Sequence, residues 1–282
     1  MIELAASRYG KAAIRIVRVG RDTMPHTLRD LTVSIALEGD FTAAHTDGDN
    51  RHVVATDTMK NTAYAFAAEH LTGAIETYAA SLARHFLEEP QVDRVIVNVR
   101  EHAWHPIDVA GAPAPDAFLR SGEGTRVATV AATRDEVTVE AGVEDLVVMK
   151  TTRSAFSGFP RDRFTTLAET DDRLMATKLT AIWTYDSPDL DHDRVWRDAR
   201  ATLLEIFADH DSPSVQASIW IMAKAMLERH AQIEQVRMVL PNLHHWTVDL
   251  STFGVANDRQ VYISTTEPHG LIEATVRRSE IG

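Results

Sequence analysis

The sequence predicts an α+β fold in which antiparallel sheets carry helices on one face, arranged as two successive halves, 1–136 and 137–282. Three observations predict it. Strand-period segments are followed by helical stripes and then by strand again, and the order occurs twice. Residues echo between the two passes. Leu82-Ala83-Arg84-His85, Val92-Asp93-Arg94-Val95 and His102-Ala103-Trp104 return as Leu227-Glu228-Arg229-His230, Ile233-Glu234-Gln235-Val236 and His244-His245-Trp246. Finally, 282 residues, 44% of them hydrophobic, suffice for two cores of ordinary size.

Taken in order, residues 12–19 are strand-like, and Leu31, Val33, Ile35 and Leu37 alternate with small residues as a half-buried strand does. Glu38-Gly39-Asp40 turns the chain. Tyr64, Leu71, Ile75, Tyr78, Leu82 and Phe86 recur at spacings near three and four, an apolar helical stripe, before strand character returns at 92–99. The second pass has strands near 145–150 and 178–185. Its helical stripes run through Val195, Ala199, Leu203 and Ile206 and through Val215, Ile219, Met222 and Met226, followed by strand. Each half leaves sheet edges exposed, a liability that oligomerisation into a closed barrel would remove.

The formal net charge of -12 argues against a nucleic-acid partner, whose phosphates demand Lys and Arg. The chain has no cysteine, which excludes disulfides, thiolate zinc sites and cysteine nucleophiles. No apolar run reaches the length of a membrane span, and the N-terminus lacks the pattern of an export signal. The ending RRSEIG lacks a peroxisomal address, so a cytoplasmic location is expected.

Several familiar motifs fail. Asp189, Asp191 and Asp193 imitate a calcium loop, but Arg194 and Arg200 stand where Gly and Glu are required, so the acids read as a helix N-terminus. The 13 histidines show no His-Glu-x-x-His spacing, and His244 and His245, being adjacent, point to opposite faces of a strand. No metal site is expected. Gly122-Glu123-Gly124 lacks the third glycine of a dinucleotide fingerprint and reads as a loop. Nucleophile elbows and phosphate loops are absent too.

Specific blocks remain. Tyr9-Gly10-Lys11 precedes the first strand, and Val54-Ala55-Thr56-Asp57-Thr58-Met59-Lys60-Asn61-Thr62 precedes the first long helix. Phe156-Ser157-Gly158-Phe159, Arg161-Asp162, Thr165-Thr166-Leu167 and Asp172-Arg173 follow, then Ser212-Pro213-Ser214-Val215-Gln216-Ala217, then Leu240-Pro241-Asn242-Leu243-His244 with Asp249-Leu250. In order and spacing, over nearly the whole chain, these blocks resemble the urate oxidase family. Ser157 and Leu243 depart from the family's pattern and carry no assigned chemistry.

The resemblance implies tandem T-fold domains closing into a barrel or tunnel, a homotetramer, and active sites between subunits. It implies cofactor-free oxidation of urate by O2 and water to 5-hydroxyisourate and hydrogen peroxide. Substrate binding falls to Thr56, Asp57, Phe156, Arg173, Val215, Gln216 and Asn242, and proton handling to Lys11, Thr56 and His244, with Thr56 and Asp57 crossing the subunit boundary. The residue types suit that chemistry. Arg173 offers a planar cationic fork and Gln216 both a donor and an acceptor, as a ring with alternating N–H and C=O groups requires. Phe156 offers a stacking face. With Ser212 as cap and Pro213 in the first turn, the N–H groups of Ser214, Val215 and Gln216 form an anion site, and the family binds urate through the Val215 backbone. An amine or imidazole near Thr56 accepts the proton that a hydroxyl cannot remove alone, and Asn242 suits a water or peroxide above the ring. Alternatives are a non-catalytic purine-binding T-fold protein, another T-fold purine or pterin enzyme, and a ligand-free structural oligomer.

Overall fold

A computed structural model describes residues 2–265 and 267–279. The chain divides into two compact units, Met1–Gly142 with Thr184–Trp196, and Val143–Trp183 with Arg197–Gly282.

The first unit contains β1 (Tyr9–Gly20), β2 (Thr27–Gly39), α1 (Thr42–Thr46), α2 (Thr56–His70), α3 (Ile75–Phe86), β3 (Val92–Glu101), β4 (Trp104–Val109), β5 (Ala112–Arg120), β6 (Thr125–Ala132) and the start of β7 (Val137–Lys150). Its main sheet runs β1-β2-β3-β6-β7, and the first three pairs are antiparallel. β4 and β5 form a separate hairpin. Alternation on β2 works as expected: Leu31, Val33, Ile35 and Leu37 are all at most 1% exposed. On β3 the buried residues are Val92, Val95, Val97 and Val99, an odd step followed by even ones. A register shift opposite Glu38 and Gly39 absorbs the extra residue, so both Val92 and Val95 face inward.

The stripe from Tyr64 to Phe86 is two helices, not one. Leu71 ends α2, Ala74 caps α3, and Gly73 lies between them. Ile75, Tyr78, Leu82 and Phe86 are buried, whereas Tyr64 is exposed because α2 turns Met59, Ala63 and Ala67 inward instead. The Tyr78 hydroxyl donates to Ala63 O at 2.7 Å and joins the two. α3 packs on β3 and β6. Arg126 of β6 is held by Glu76, at 2.7 Å, and by Asp193, at 2.6 Å, with its guanidinium 4.9 Å from the Trp196 ring centre. Asp193 and Asp191 lie at the start of α4 (His192–Asp209), where Asp191 Oδ1 accepts from the Arg194 N–H.

The second unit contains the end of β7, most of β8 (Met175–Tyr185) and α4, then α5 (Val215–Arg229), β9 (Ile233–Thr247), β10 (Tyr262–Thr265) and β11 (Leu271–Arg277). β7, β8 and β9 are successive neighbours. β9 then takes two antiparallel partners along its length, β11 against Gln235–Pro241 and β10 against His244–Thr247. α5 buries Val215, Ile219, Met222 and Met226, and packs on β9 and β11. Two of the residue echoes occupy matching places, at the C-terminal ends of α3 and α5 and at the starts of β3 and β9; the third does not, since His102 and Ala103 lie between β3 and β4 whereas His244, His245 and Trp246 lie within β9. Gly122, Glu123 and Gly124 lie in the β5–β6 connection. No helix among the described residues is long and apolar enough to cross a membrane.

Candidate active site

The second unit holds a cavity of about 640 Å³ lined by Phe156, Arg173, Val215, Gln216, Asn242 and His244 among others. These residues lie far apart in sequence, and irregular backbone bridges gather them. Phe156 and Thr170 exchange two N–H···O bonds, at 2.8 and 3.0 Å. Arg173 N donates to Ser154 O at 2.8 Å, and Ser154 bridges to Ser212, just before α5.

Arg173 is half-buried, and its guanidinium lies 5.3 Å from the Phe156 ring centre. Burial draws it below its ordinary value, yet a guanidinium stays cationic in proteins. Its Nε is buried without a hydrogen-bond partner among the described residues. The adjacent carboxylate does not serve it. Asp172 Oδ1 accepts from Thr152 Oγ1 at 2.8 Å and from Arg153 N at 3.0 Å, and Oδ2 accepts from Arg259 at 3.2 Å. Those bonds, Thr152 foremost, hold the Asp172 carboxyl below its ordinary range. Phe156 is supported from behind by Phe159, whose ring is parallel within 12° at 4.9 Å.

The start of α5 differs from expectation. Ser214, not Ser212, is the N-cap, extended at φ -166, and its Oγ accepts from the Ala217 N–H at 3.1 Å. Ser212 is engaged elsewhere: it is 1% exposed and lies 2.8 Å from Ser218 Oγ. Pro213 therefore precedes the cap instead of opening the helix. The N–H groups of Val215 and Gln216 still occupy the first turn, where no intrahelical acceptor exists, and both residues line the cavity.

Asn242 and His244 come from β9 where its partner changes. Asn242 N donates to Gly270 O at 2.7 Å, just before β11, and His244 pairs with Thr265 of β10. Residues two apart on a strand share a face, and the His244 ring stacks on Trp246 at 5.3 Å. Burial, then the Arg173, His269 and His245 charges, push His244 below the ordinary imidazole value, which favours its neutral form. Trp246, Arg259 and Tyr262 also line the cavity, outside the set of site residues that the resemblance implies. Only for Trp246 was there a signal, its two-residue offset from His244.

Lys11, Thr56 and Asp57 are not at this cavity. They lie together in the first unit. The Gly10 backbone runs so close to β2 that an added Cβ would sit 1.9 Å from Ile35 O, and the register shifts between Lys11 and Ile14, with Ala13 at φ 56. Such an irregularity re-aims the side chains beside it. The Tyr9 hydroxyl accepts from Val54 N at 2.8 Å and pins the entry of α2 to β1. Thr56 is the first residue of α2, after the cap Ala55. Asp57 pairs with Lys60 and accepts from Asn61 at 3.1 Å. Its carboxyl is held below the ordinary range chiefly by Lys60, with a smaller contribution from Lys11, whose ammonium is near enough to count. The expected site residues thus form two groups, six around the cavity and three on the β1–α2 surface.

The uricase family sequence model matches residues 7–131 and 139–273. A uricase from Arthrobacter globiformis is 41% identical over 280 residues, spanning 98% of this chain and 90% of that protein. One from Dictyostelium discoideum is 39% identical over 284 residues, 99% of each. The crystal structure of the Arthrobacter globiformis uricase superposes with a TM-score of 0.93 over 99% of this chain and 96% of that one. With its sequence and its fold matched by these proteins over nearly its whole length, the chain belongs to the uricase family.

Proposed function

We propose that the chain oxidises urate with O2 and water to 5-hydroxyisourate and hydrogen peroxide, without a metal or an organic cofactor. One observation carries the reading: the half-buried Arg173 guanidinium lines a cavity that the first turn of α5 and the Phe156 ring also line. A planar anion whose edge carries acceptors satisfies all of these groups together. Arg173 and Gln216 grip the edges of urate, the Val215 N–H binds an oxygen, and Phe156 stacks on the ring.

The halves 1–136 and 137–282 are tandem T-fold domains, and four copies close into a barrel around a tunnel. Lys11, Thr56 and Asp57 of one subunit meet the cavity of another. Thr56 and Asp57 touch the substrate there, and Thr56, Lys11 and His244 relay protons through water. The bound anion loses two electrons and two protons to O2, giving hydrogen peroxide and a dehydrogenated ring. Water held by Asn242 then adds to that ring, so the oxygen gained by the purine comes from water. The conjugated substrate supplies the electrons, which is why no cofactor is invoked.

The test is to mix chelator-treated protein with urate in air and follow loss of the urate ultraviolet band together with peroxide. Equal molar loss and production are expected. Urate binding without consumption would favour a purine-binding protein, and no binding at all would refute the reading. Sizing against activity tests the shared site: dissociated subunits are expected to be inactive.

A further inference from the structure

A chain of three side chains that the proposed chemistry does not use ends beneath the cavity. His210 Nδ1 lies 2.6 Å from Ile206 O, and a carbonyl only accepts, so Nδ1 carries the hydrogen. The neutral ring's Nε2 is then an acceptor. It faces Ser218 Oγ at 2.7 Å, and Ser218 Oγ lies 2.8 Å from Ser212 Oγ. Ser218 thus links the imidazole to Ser212, while Ser214 O lies 3.2 Å from both hydroxyls as a second, longer acceptor. Burial draws the imidazole below its ordinary value, opposed by the Ile206 bond and helped by the Lys150 and Arg153 charges. Both serines are almost fully enclosed, at 0% and 1% exposed for Ser218 and Ser212.

Ser212 is where the backbone of the cavity converges. Its N–H donates to Arg153 O at 2.9 Å, and its carbonyl accepts from Ala155 N at 2.7 Å, one residue before Phe156. Between those contacts, Ser154 O accepts from Arg173 N. Val215 follows Ser212 by three residues. Three of the groups assigned to substrate therefore depend on where the Ser212 backbone stands. Without Ser218, the buried Ser212 hydroxyl keeps only the longer contacts to Ser214 O, at 3.2 Å, and Met175 Sδ, at 3.4 Å, a weaker hold on that backbone.

We infer that His210, acting through Ser218 and Ser212, is a positioning residue that sets the spacing between Phe156, Arg173 and the α5 N-terminus. This rests on the proposed function of the cavity. None of the three side chains is assigned contact with substrate, so their loss acts on binding geometry and leaves the proton relay intact.

The variants are Ser218→Ala, His210→Leu, the two combined, and His210→Gln, which keeps an acceptor for Ser218. In Ser218→Ala and His210→Leu, the KM for urate is expected to rise about tenfold, with kcat within about threefold of the unaltered protein, the scale set by one broken buried hydrogen-bond chain. The double variant should be no worse than the worse single one, because both break the same chain. His210→Gln should recover most of the KM. Hydrogen exchange at peptides covering 152–157 and 211–217 should quicken in the three damaged variants. This second readout does not need urate turnover, so it judges the chain even where the proposed function fails. A lowered melting temperature with unchanged KM, additive effects in the double variant, or unchanged exchange in these peptides would overturn the inference.

Discussion

Replacing Arg173 with alanine removes a half-buried cation beside the Phe156 ring, in a cavity that Val215 and Gln216 also line, with Asp172 already bound elsewhere. At about 4 Å, and with the effective dielectric of a partly buried site, a full charge pair is worth about 4 kcal/mol. Two charge-assisted hydrogen bonds from the guanidinium give a similar gross figure. Water entering the vacated space recovers part of it, leaving roughly 3 kcal/mol, or about a 10²-fold rise in urate KM. Arg173→Lys keeps the charge without the planar fork and should fall between, near tenfold. The assay is initial-rate urate oxidation over a substrate range, paired with anaerobic urate binding by equilibrium dialysis. Binding should weaken as KM rises. If Arg173→Ala binds urate within about twofold of the unaltered protein, Arg173 is not the anion's partner and the argument from its place in the cavity fails.

Lys11→Ala and Thr56→Ala should each slow kcat by about 10²–10⁴-fold while the protein keeps its melting temperature. Near-normal turnover in both would remove them from the relay. For His244, the lowered pKa means that the neutral, proton-accepting form persists as pH falls, so the acid limb of kcat should lie below the usual imidazole value of about 6.5. Arg173 contributes to that lowering, so in Arg173→Gln the limb should move to higher pH, and an unmoved limb would dissociate His244 from it. In the first unit, Arg126→Ala strands the fully buried Glu76 without its partner and should cost about 3–5 kcal/mol in denaturant unfolding. Loss below about 1 kcal/mol would mean that water already serves that carboxylate.

Much of the fold was readable where side-chain period and burial coincide. β2 alternates because one face is the core, and α5 shows its stripe because one side lies on the sheet. β4, β5 and β6 escaped notice for a physical reason. β4 and β5 bury little, and Pro106, Pro113 and Pro115 interrupt them, while β6 buries Val127, Ala128, Val130 and Ala132, a spacing that is not strict alternation. The break between α2 and α3 was masked because Leu71 and Ile75 are both buried, so the apolar spacing runs through the gap.

The site separates along the same line between local and distant causes. Ser212 and Ser214 are equally good caps by residue type, and the sequence neighbourhood offers no way to choose between them. The choice is made by contacts from elsewhere: Ser218 takes the Ser212 hydroxyl, and the Arg153 and Ala155 backbone takes its amide and carbonyl, leaving Ser214 to cap. Arg173 reaches the cavity through one backbone bond to Ser154, nineteen residues away, and Phe156 through a bridge to Thr170, neither of which leaves a mark on side-chain pattern. Those positions were found by resemblance because a family preserves the residues that distant contacts bring together, whereas periodicity reports only what each segment buries. The Tyr9-Gly10-Lys11 block is intermediate. Its glycine is demanded by the 1.9 Å approach to Ile35 O, a constraint that residue type signals but whose purpose, aiming the strand beside Lys11, appears only once β2 is in place.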